Sequence, residues 1–268
     1  MGRDGLAEIP IALPDPIRSA IAGYAWTRAT DGESGAAVFR LEATGRRTLY
    51  LKHGASRVAD DVTAELARLE WLTGRLPVPR VRHFVRAAGQ AWLVTEAVPG
   101  RNAYACLVER PERGAEIVAE LARFLRGVHA LPLADCPFHA GHALRMAEAR
   151  RNVAAGRVDE DDFDEERRGW TAEQVWHDLV AQLPLAFDRV VTHGDFTLDN
   201  VLLADGRVTG CIDVGRAGAA DPYQDLAALW NNLEEFGGDL QRAFFRAYGI
   251  AEPDARKLRF HLCLGELC

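Results

Sequence analysis

The sequence predicts an α+β protein with two lobes, a small β-rich lobe followed by a larger, mostly helical one. Strand-like alternation dominates the first third of the chain, helical periodicity dominates from Glu112 onward, and Pro99-Gly100 stands between the two patterns. We therefore predict one lobe over residues 1–97 and the other over residues 98–268. The hydrophobic fraction of 48% is ordinary for a globular chain, so a buried core is expected.

The first lobe is predicted to contain two strand pairs. Residues 37–42 and 48–52 alternate apolar and polar side chains around the turn at 44–47, as the two strands of a hairpin do. Residues 82–86 and 91–96 are also strand-like and flank a second short turn. These four segments make the first lobe β-rich.

A helix is predicted between the two strand pairs, from Val58 to Leu72. The apolar residues that form one face of this helix are Val62, Leu66, Leu69 and Leu72. Gly74 suits the end of the helix, and Pro77 and Pro79 prevent its continuation. In the second lobe, an acidic segment and a short strand-rich region at 189–213 interrupt the helical patterns.

Charge and cysteine content exclude several classes of protein. The net charge of −7 would repel nucleic acid and anionic membranes, so we expect neither as a partner. The five cysteines form no CxxC pair, which argues against a disulfide framework or a zinc site. The first residues contain no apolar signal-peptide core, and no apolar stretch approaches the ~18 residues that cross a bilayer. A cytoplasmic location is therefore expected.

The strongest functional motif lies in the strand-rich region of the second lobe. It reads His-Gly-Asp-x-x-x-x-Asn, from His193 to Asn200, between two apolar strand-like runs. A second carboxylate, Asp213, ends the next strand. A metal bound by Asn200 and Asp213 would bridge the phosphates of a nucleotide while Asp195 faces an incoming hydroxyl. Magnesium prefers hard oxygen ligands of this kind, so the pattern indicates phosphoryl transfer.

Each fragment of this motif has a structural alternative when it is taken alone. Asp-x-x-x-x-Asn is also typical of a turn-rich loop, because Asp and Asn favour turns and helix caps. Asp-x-Gly is common in the turn that ends a strand. Their joint occurrence, in this order and between apolar strands, favours the catalytic interpretation.

The first lobe contains residues suited to a nucleotide. Lys52 ends a strand and Glu65 lies in the following helix, and kinases bind the α- and β-phosphates with a strand lysine paired to a helix glutamate. The alternative is that both side chains are simply solvated. The loop at 31–38, which contains Ser34, would bind phosphates through its N–H groups, although its glycine pattern is incomplete.

These motifs resemble those of the aminoglycoside 3′-phosphotransferases, or kanamycin kinases, which have the two-lobed fold of protein kinases. The resemblance extends over nearly the whole chain and includes the segments 49–52, 76–79, 158–166, 193–195, 211–216, 221–226 and 264–268. Choline kinases and other small-molecule kinases share the His-Gly-Asp motif. The acidic segment at 158–166 and the C-terminal segment are therefore more specific for this family.

The resemblance implies a role for each matching residue in an ATP- and Mg²⁺-dependent reaction. Asp195 would orient or deprotonate the attacking hydroxyl, and Asn200 and Asp213 would bind magnesium. The nucleotide would contact Ser34, Tyr50, Lys52, Glu65, the backbone of Glu96, Ala97 and Val98, and Arg216. The ammonium groups of the aminoglycoside would contact Asp159, Asp162, Glu165, Glu234, Glu266 and the C-terminal carboxylate of Cys268.

The acidic segment bears on the choice of acceptor. A protein substrate is not expected, because no Ala-Pro-Glu motif follows Asp213. One exposed ion pair contributes less than ~1 kcal/mol, so binding of a polycationic aminoglycoside requires several carboxylates. The alternative is that the segment is a solvated face, partly neutralised by Arg157, Arg167 and Arg168.

Two other functions are compatible with the motifs. One is a kinase of another small hydroxylated amine, such as choline, a ketosamine or a homoserine-like amino acid. The other is a nucleotide-binding pseudoenzyme, which the presence of Lys52, Asp195, Asn200 and Asp213 disfavours.

The C-terminal segment departs from the family pattern at two positions. Gly265 replaces an aspartate and Cys268 replaces an aromatic residue, which affects the expected range of aminoglycosides. The sequence does not decide between ATP and GTP. We expect a monomer or a weak dimer.

Overall fold

The computed structural model describes residues 9–29, 35–183 and 185–268. The chain forms two units, Met1–Pro99 with Gly210–Gly215, and Gly100–Thr209 with Arg216–Cys268. The short segment at 210–215 therefore belongs with the first unit, although it lies far along the chain. Among the described residues, the helices are too short or too polar to cross a membrane.

A five-stranded antiparallel sheet forms most of the first unit. Its strands are β1 (Ala25–Arg28), β2 (Ala37–Glu42), β3 (Leu49–Ala55), β4 (Val81–Ala87) and β5 (Gln90–Glu96). They lie in the order β1-β2-β3-β5-β4, so both predicted strand pairs are confirmed. The β4–β5 turn consists of Ala88 and Gly89, whose φ angles of 48° and 73° match the left-handed conformation of a tight hairpin turn.

Two helices accompany this sheet, α1 (Asp15–Ala20) and α2 (Arg57–Leu72). Helix α2 confirms the predicted helix, with Val62, Leu69 and Leu72 buried. Leu66 was expected on the same buried face but is only half-buried, while Glu65 is 8% exposed. A charged residue therefore occupies a buried position of this helix.

The core of the first unit lies between α1 and the sheet. Ile17 of α1 and Ile21, which follows the helix, are buried in one apolar cluster with strand residues. The strand residues of this cluster are Phe39, Leu41, Leu49, Leu51, Trp92 and Val94. Trp92 also donates a hydrogen bond from its ring nitrogen to the carbonyl of Ala12, at 3.0 Å.

The second unit is mostly helical, with short strands between its helices. The helices are α3 (Ala103–Glu109), α4 (Gly114–His129), α5 (His142–Ala154), α6 (Ala172–Ala181), α7 (Tyr223–Asn232), α8 (Gly238–Tyr248) and α9 (Ala255–Gly265). The strands are β6 (Arg101–Asn102), β7 (Val190–Thr192), β8 (Val201–Ala204), β9 (Arg207–Cys211) and β10 (Gly218–Ala220). The last residues of β9 are counted with the first unit. The predicted α+β class is confirmed.

Two small sheets position the loop of the His-Gly-Asp motif. Strand β7 pairs antiparallel with β10, and β8 lies between β6 and β9. The motif therefore begins where β7 ends and ends where β8 begins. An apolar cluster built from α5, α6 and α9 forms a separate part of the core, and Phe163 of the acidic segment is buried in it.

Candidate functional site

The first unit brings three charged residues together around Lys52. Its Nζ lies 2.8 Å from Glu65 Oε2, so the predicted pairing of Lys52 with Glu65 is present. Nζ also lies 2.5 Å from Asp213 Oδ1. Lys52 projects from β3, Glu65 from the buried face of α2, and Asp213 follows β9. The structure thus connects three residues that lie far apart in the sequence.

The charge of Lys52 is strongly favoured in this arrangement. Burial by itself lowers the pKa of Lys52, but the adjacent carboxylates of Glu65 and Asp213 outweigh it and raise the pKa above its ordinary value. Lys52 is therefore a fixed cation at any physiological pH. Side-chain exposure is 17% for Lys52 and 45% for Asp213, so Asp213 is the more accessible of the two.

Asp213 has an unusual backbone conformation. Its φ angle is 55°, in the left-handed region that residues other than glycine, Asn and Asp seldom adopt. The preceding chain is fixed by the hydrogen bond from the Cys211 N–H to the Pro77 carbonyl, at 3.0 Å. Gly210 passes so close to Pro77 that a Cβ would lie 2.4 Å from its carbonyl oxygen. These contacts determine where Asp213 projects.

The other predicted nucleotide residues of the first unit lie on β3 and after β5. Tyr50 is half-buried on β3, opposite Thr95. The N–H groups of Glu96 and Ala97 donate to the carbonyls of Arg80 and Thr48, at 2.9 and 3.0 Å. The proposed purine contact would therefore rely on Val98 and on carbonyl oxygens. Ser34 lies outside the described residues.

In the second unit, the loop after β7 brings Asp195 and Asn200 together. The Asn200 amide nitrogen donates to both the carboxylate Oδ2 and the backbone carbonyl of Asp195, each at 3.0 Å. Asn200 is 8% exposed, and Phe196 and Leu198 between the two residues are fully buried. The loop is thus packed into the unit, and the half-buried Asp195 has a defined position.

Asp225 on α7 positions the start of this loop. Its carboxylate is fully buried and accepts hydrogen bonds from the N–H groups of His193 and Gly194, both at 2.8 Å. His129 on α4 lies 3.0 Å from the same carboxylate through Nε2. Gln224 donates to the carbonyl of Gly194, at 3.2 Å. The backbone before Asp195 is therefore bound by side chains from other elements.

Gly194 is required at its position by two independent features. Its φ angle is 90°, and a Cβ would lie 2.3 Å from the carbonyl oxygen of Arg216. The backbone of Arg216 thus packs directly on the His-Gly-Asp loop. The side chain of Arg216 is exposed, and its expected contact with bound phosphates stays a prediction.

Asp225, His129 and Gln224 were not among the predicted site residues. The available signal was weak, because a single polar residue within a helical pattern is usually a surface residue. Only the structure shows that these side chains are buried beside the loop.

We expect Asp225→Ala to destabilise the protein strongly, because it leaves two backbone N–H groups and His129 without their buried acceptor. Removing one member of a buried charged network costs about 3–5 kcal/mol. Urea unfolding of the variant should show this loss in the free energy of unfolding. Asp239→Ala, the same substitution at a site 96% exposed on α8, should have little effect. Equal urea midpoints for Asp225→Ala and Asp239→Ala would contradict the role of Asp225.

Most carboxylates of the acidic segment face solvent. Asp159, Asp162 and Glu165 are exposed, and the side chain of Glu165 is 90% accessible, with Arg168 at 4.0 Å. Glu160 differs, because its carboxylate accepts a hydrogen bond from the N–H of Ala172 at 2.7 Å. The predicted acceptor residues in this segment are therefore accessible to a ligand.

Glu266 is placed beside the same segment but is partly engaged within the protein. Its Oε1 accepts a hydrogen bond from the N–H of Asp164 at 3.2 Å and lies 3.3 Å from Nη1 of Arg167. Arg167 is only 1% exposed, whereas the sequence suggested that it neutralises the segment from a solvated face. Glu266 is therefore less available to a ligand than the exposed carboxylates.

The remaining predicted acceptor residues are less clearly connected to the segment. Glu234 is exposed in a short 3-10 helix after α7. Cys268 is half-buried, and its thiol lies 3.7 Å from the carbonyl of Arg145. Asp159, Asp162 and Glu165 thus share the segment that Glu266 contacts through Asp164 and Arg167. In the part of the chain that the structure describes, no hydrogen bond or ion pair joins Glu234 to these residues.

Burial raises the pKa of Glu266 from 4.5 to about 7, more than Arg167 lowers it. The protonated carboxyl is thus favoured in the folded state. Protonation of Glu266 therefore stabilises the folded protein fully below about pH 4.5, and this stabilisation is lost as the pH rises through about 7. We expect the unfolding midpoint of the wild type to fall more between pH 5.5 and pH 8 than that of Glu266→Gln. Parallel pH profiles of the two proteins in thermal denaturation would contradict this assignment.

Among the described residues, no group of three or more His, Cys, Asp or Glu side chains is arranged to hold a metal ion. Magnesium in phosphoryl transfer is generally bound by one or two protein carboxylates together with substrate phosphates and water. The donors at Asn200 and Asp213 are oxygens of the type that magnesium prefers.

The chain is similar to known phosphotransferases. The model of a family described as "Phosphotransferase enzyme family" matches residues 25–261. An aminoglycoside 3′-phosphotransferase of Escherichia coli is 52% identical over 259 residues, which cover 96% of this chain and 95% of that protein.

Solved structures give the same result. The crystal structure of an aminoglycoside 3′-phosphotransferase of type VIII superposes with a TM-score of 0.85 at 40% identity, over 94% of this chain and 97% of that one. A Streptomyces rimosus aminoglycoside phosphotransferase of the 3″ type, in complex with ADP and streptomycin, has a TM-score of 0.79 at 31% identity, over 93% of this chain and 95% of that one. The chain therefore belongs to the phosphotransferase enzyme family and, within it, to the aminoglycoside 3′-phosphotransferases.

Proposed function

We propose that this enzyme transfers the terminal phosphoryl group of ATP to the 3′-hydroxyl of an aminoglycoside of the kanamycin or neomycin type, and so confers resistance to it. The observation that carries the proposal is the ion-paired arrangement of Lys52, Glu65 and Asp213 in a chain 52% identical to an aminoglycoside 3′-phosphotransferase. A purely structural role would not require a lysine with two carboxylate partners, one of them accessible.

Lys52 is proposed to bind the nucleotide phosphates. Its charge is fixed, and Glu65 on the buried face of α2 keeps its ammonium group in place. The ion pair between Lys52 and Asp213 would break when phosphate oxygens bind the same ammonium group. The ADP complex of the Streptomyces rimosus relative supports an adenine nucleotide.

Magnesium is proposed to be bound by Asn200 and Asp213. Both offer hard oxygen atoms, and the amide nitrogen of Asn200 is directed to Asp195, so its amide oxygen is the group that would bind a cation. When bound, magnesium neutralises charge that develops on the transferred phosphoryl group. The exposure of Asp213, at 45%, leaves room for such a ligand.

Asp195 is proposed to act on the acceptor. Its carboxylate accepts a hydrogen bond from the 3′-hydroxyl and takes the proton as that oxygen bonds to the terminal phosphorus. The bond between this phosphorus and the bridging oxygen breaks, and ADP leaves with the electron pair. Asn200 and the buried loop keep the carboxylate oriented during this step.

The acceptor class is proposed from the exposed carboxylates of the acidic segment. Asp159, Asp162 and Glu165 are accessible, and aminoglycosides carry several ammonium groups. Each exposed pair contributes at most ~1 kcal/mol, so several are needed, and binding should weaken as salt rises.

A coupled assay that detects ADP tests the proposal. ADP should form with ATP, Mg²⁺ and kanamycin A, and should not form when Mg²⁺ is chelated or when choline replaces kanamycin A. Turnover of choline alone would move the function to another small-amine kinase. Full activity in excess chelator would remove magnesium from the proposal.

A further inference from the structure

The acidic segment, residues 158–166, has a high density of negative charge, which opposes its folded conformation unless a positive charge lies nearby. It carries seven carboxylates in nine positions. Like charges at this density repel one another and favour an extended, solvated chain. The segment instead forms two short 3-10 turns, Glu160–Asp162 and Glu165–Arg167, with Phe163 buried between them. A compensating positive charge is therefore needed close to the segment.

Arg167 supplies this charge from inside the protein. Its Nη1 lies 2.5 Å from Asp164 Oδ2 and 3.3 Å from Glu266 Oε1, and its Nη2 lies 3.7 Å from Glu166 Oε2. The guanidinium group is planar and presents several donors in fixed directions, so it can bind carboxylates from two elements at once. Arg167 thus joins the acidic segment to the end of α9.

The surroundings of Arg167 show that carboxylates are its partners. Arg167 is 1% exposed, while the side chain of the adjacent Arg168 is 77% exposed. Cys263 also lies nearby, but burial raises the pKa of its thiol to about 12, so it stays neutral. The charge of Arg167 is therefore offset by Asp164 and Glu166, and Arg167 also donates a hydrogen bond to Glu266.

This arrangement separates the carboxylates of the region into two groups. The inner pair, Asp164 and Glu266, has side chains 26% and 10% exposed, and both accept hydrogen bonds from the internal Arg167. The outer group, Asp159, Asp162 and Glu165, is exposed. A cationic ligand gains most from carboxylates that no internal cation has already neutralised.

We propose that Arg167 is a positioning residue of the acceptor site, which binds Asp164 and Glu266 internally and so fixes the segment that presents Asp159, Asp162 and Glu165 to the ammonium groups of the acceptor. The inference rests on the proposed function, because it assigns Arg167 a part in binding the acceptor of that reaction. Arg167 itself does not touch the acceptor, the nucleotide or the reacting atoms.

Steady-state kinetics of Arg167→Gln test the proposal. Without the guanidinium group, the segment keeps the hydrogen bond from the Asp164 N–H to Glu266 and the burial of Phe163, but it loses its charged link to the end of α9. The KM for kanamycin A should therefore rise about tenfold, the factor that corresponds to 1.4 kcal/mol. The KM for ATP and the kcat should change less than about twofold, since an effect confined to uniform binding leaves kcat unchanged. Arg167→Lys keeps the positive charge but not the planar guanidinium with its fixed donors, so its KM for kanamycin A should rise less than that of Arg167→Gln.

Two controls separate positioning from general destabilisation. Arg168→Gln removes the adjacent exposed arginine and should leave the KM for kanamycin A unchanged or slightly lower. Val118→Ala, at a fully buried position of α4, should lower Tm without raising that KM.

An unchanged KM in Arg167→Gln, or an equal rise in Val118→Ala at a similar loss of Tm, would overturn the role of Arg167. Lack of kanamycin turnover by the wild-type enzyme would instead overturn the proposed function and the inference that rests on it. Turnover by the wild type with unaltered kinetics in Arg167→Gln would overturn the inference alone.

Discussion

Replacing Asp195 by asparagine is expected to reduce kcat for aminoglycoside phosphorylation by about 10²–10⁴-fold, the usual contribution of a positioned acid or base. The asparagine amide has nearly the same shape as the carboxylate of Asp195. Its oxygen can still accept the hydrogen bond from the amide nitrogen of Asn200, which lies 3.0 Å from that carboxylate. It cannot take a proton from the acceptor hydroxyl. The dissociation constant for ATP, measured by calorimetry or fluorescence, should stay nearly the same.

Asp199→Asn provides the matched control for this variant. Asp199 lies in the same loop and accepts a hydrogen bond from Asn102 at 2.7 Å, which an asparagine oxygen can also accept. Its kcat should remain near that of the wild type. If Asp195→Asn turned over kanamycin A at a near-normal rate, Asp195 would not be the residue that acts on the hydroxyl.

Replacing Asp213 by asparagine is expected to reduce magnesium-dependent turnover by about a thousandfold or more. A metal contributes several kcal/mol of charge stabilisation in the transition state, and each 1.36 kcal/mol corresponds to a factor of ten in rate. Asparagine tolerates the left-handed φ of 55° at this position, so the backbone should be preserved. The variant therefore tests the charge of Asp213 rather than its conformation.

Asp205→Asn makes the same change in a comparable backbone conformation. Asp205 has a φ of 51° in the exposed turn between β8 and β9. We expect its magnesium titration to match that of the wild type, measured as kcat/KM against free Mg²⁺. An unaltered magnesium titration in Asp213→Asn would remove Asp213 from the proposed metal site.

Local sequence patterns predicted four of the five strands in the sheet of the first unit, but not β1, and a kinase-like motif predicted one of its charged pairs. The alternation at 37–42 and 48–52 has the period of a strand, and the structure has strands there. Lys52 and Glu65 lie on the consecutive elements β3 and α2, and the kinase pattern of a strand lysine followed by a helix glutamate predicted their pairing.

Long-range placement was not predictable in the same way. The segment at 210–215 joins the first unit through hydrogen bonding to Pro77, a contact between residues that no local pattern relates. Asp225 and Arg167 were missed as buried residues because charged side chains are usually solvated. Their burial depends on partners such as His129 and Glu266, which come from distant elements.

The most direct test of the proposed function compares two aminoglycosides that differ at the acceptor hydroxyl. Kanamycin A has a 3′-hydroxyl and tobramycin lacks it, so ADP formation with ATP and Mg²⁺ should occur with kanamycin A and not with tobramycin. This result would establish both the activity and the position of transfer. Equal turnover of the two would place the reaction at another hydroxyl, and turnover of neither would contradict an aminoglycoside acceptor.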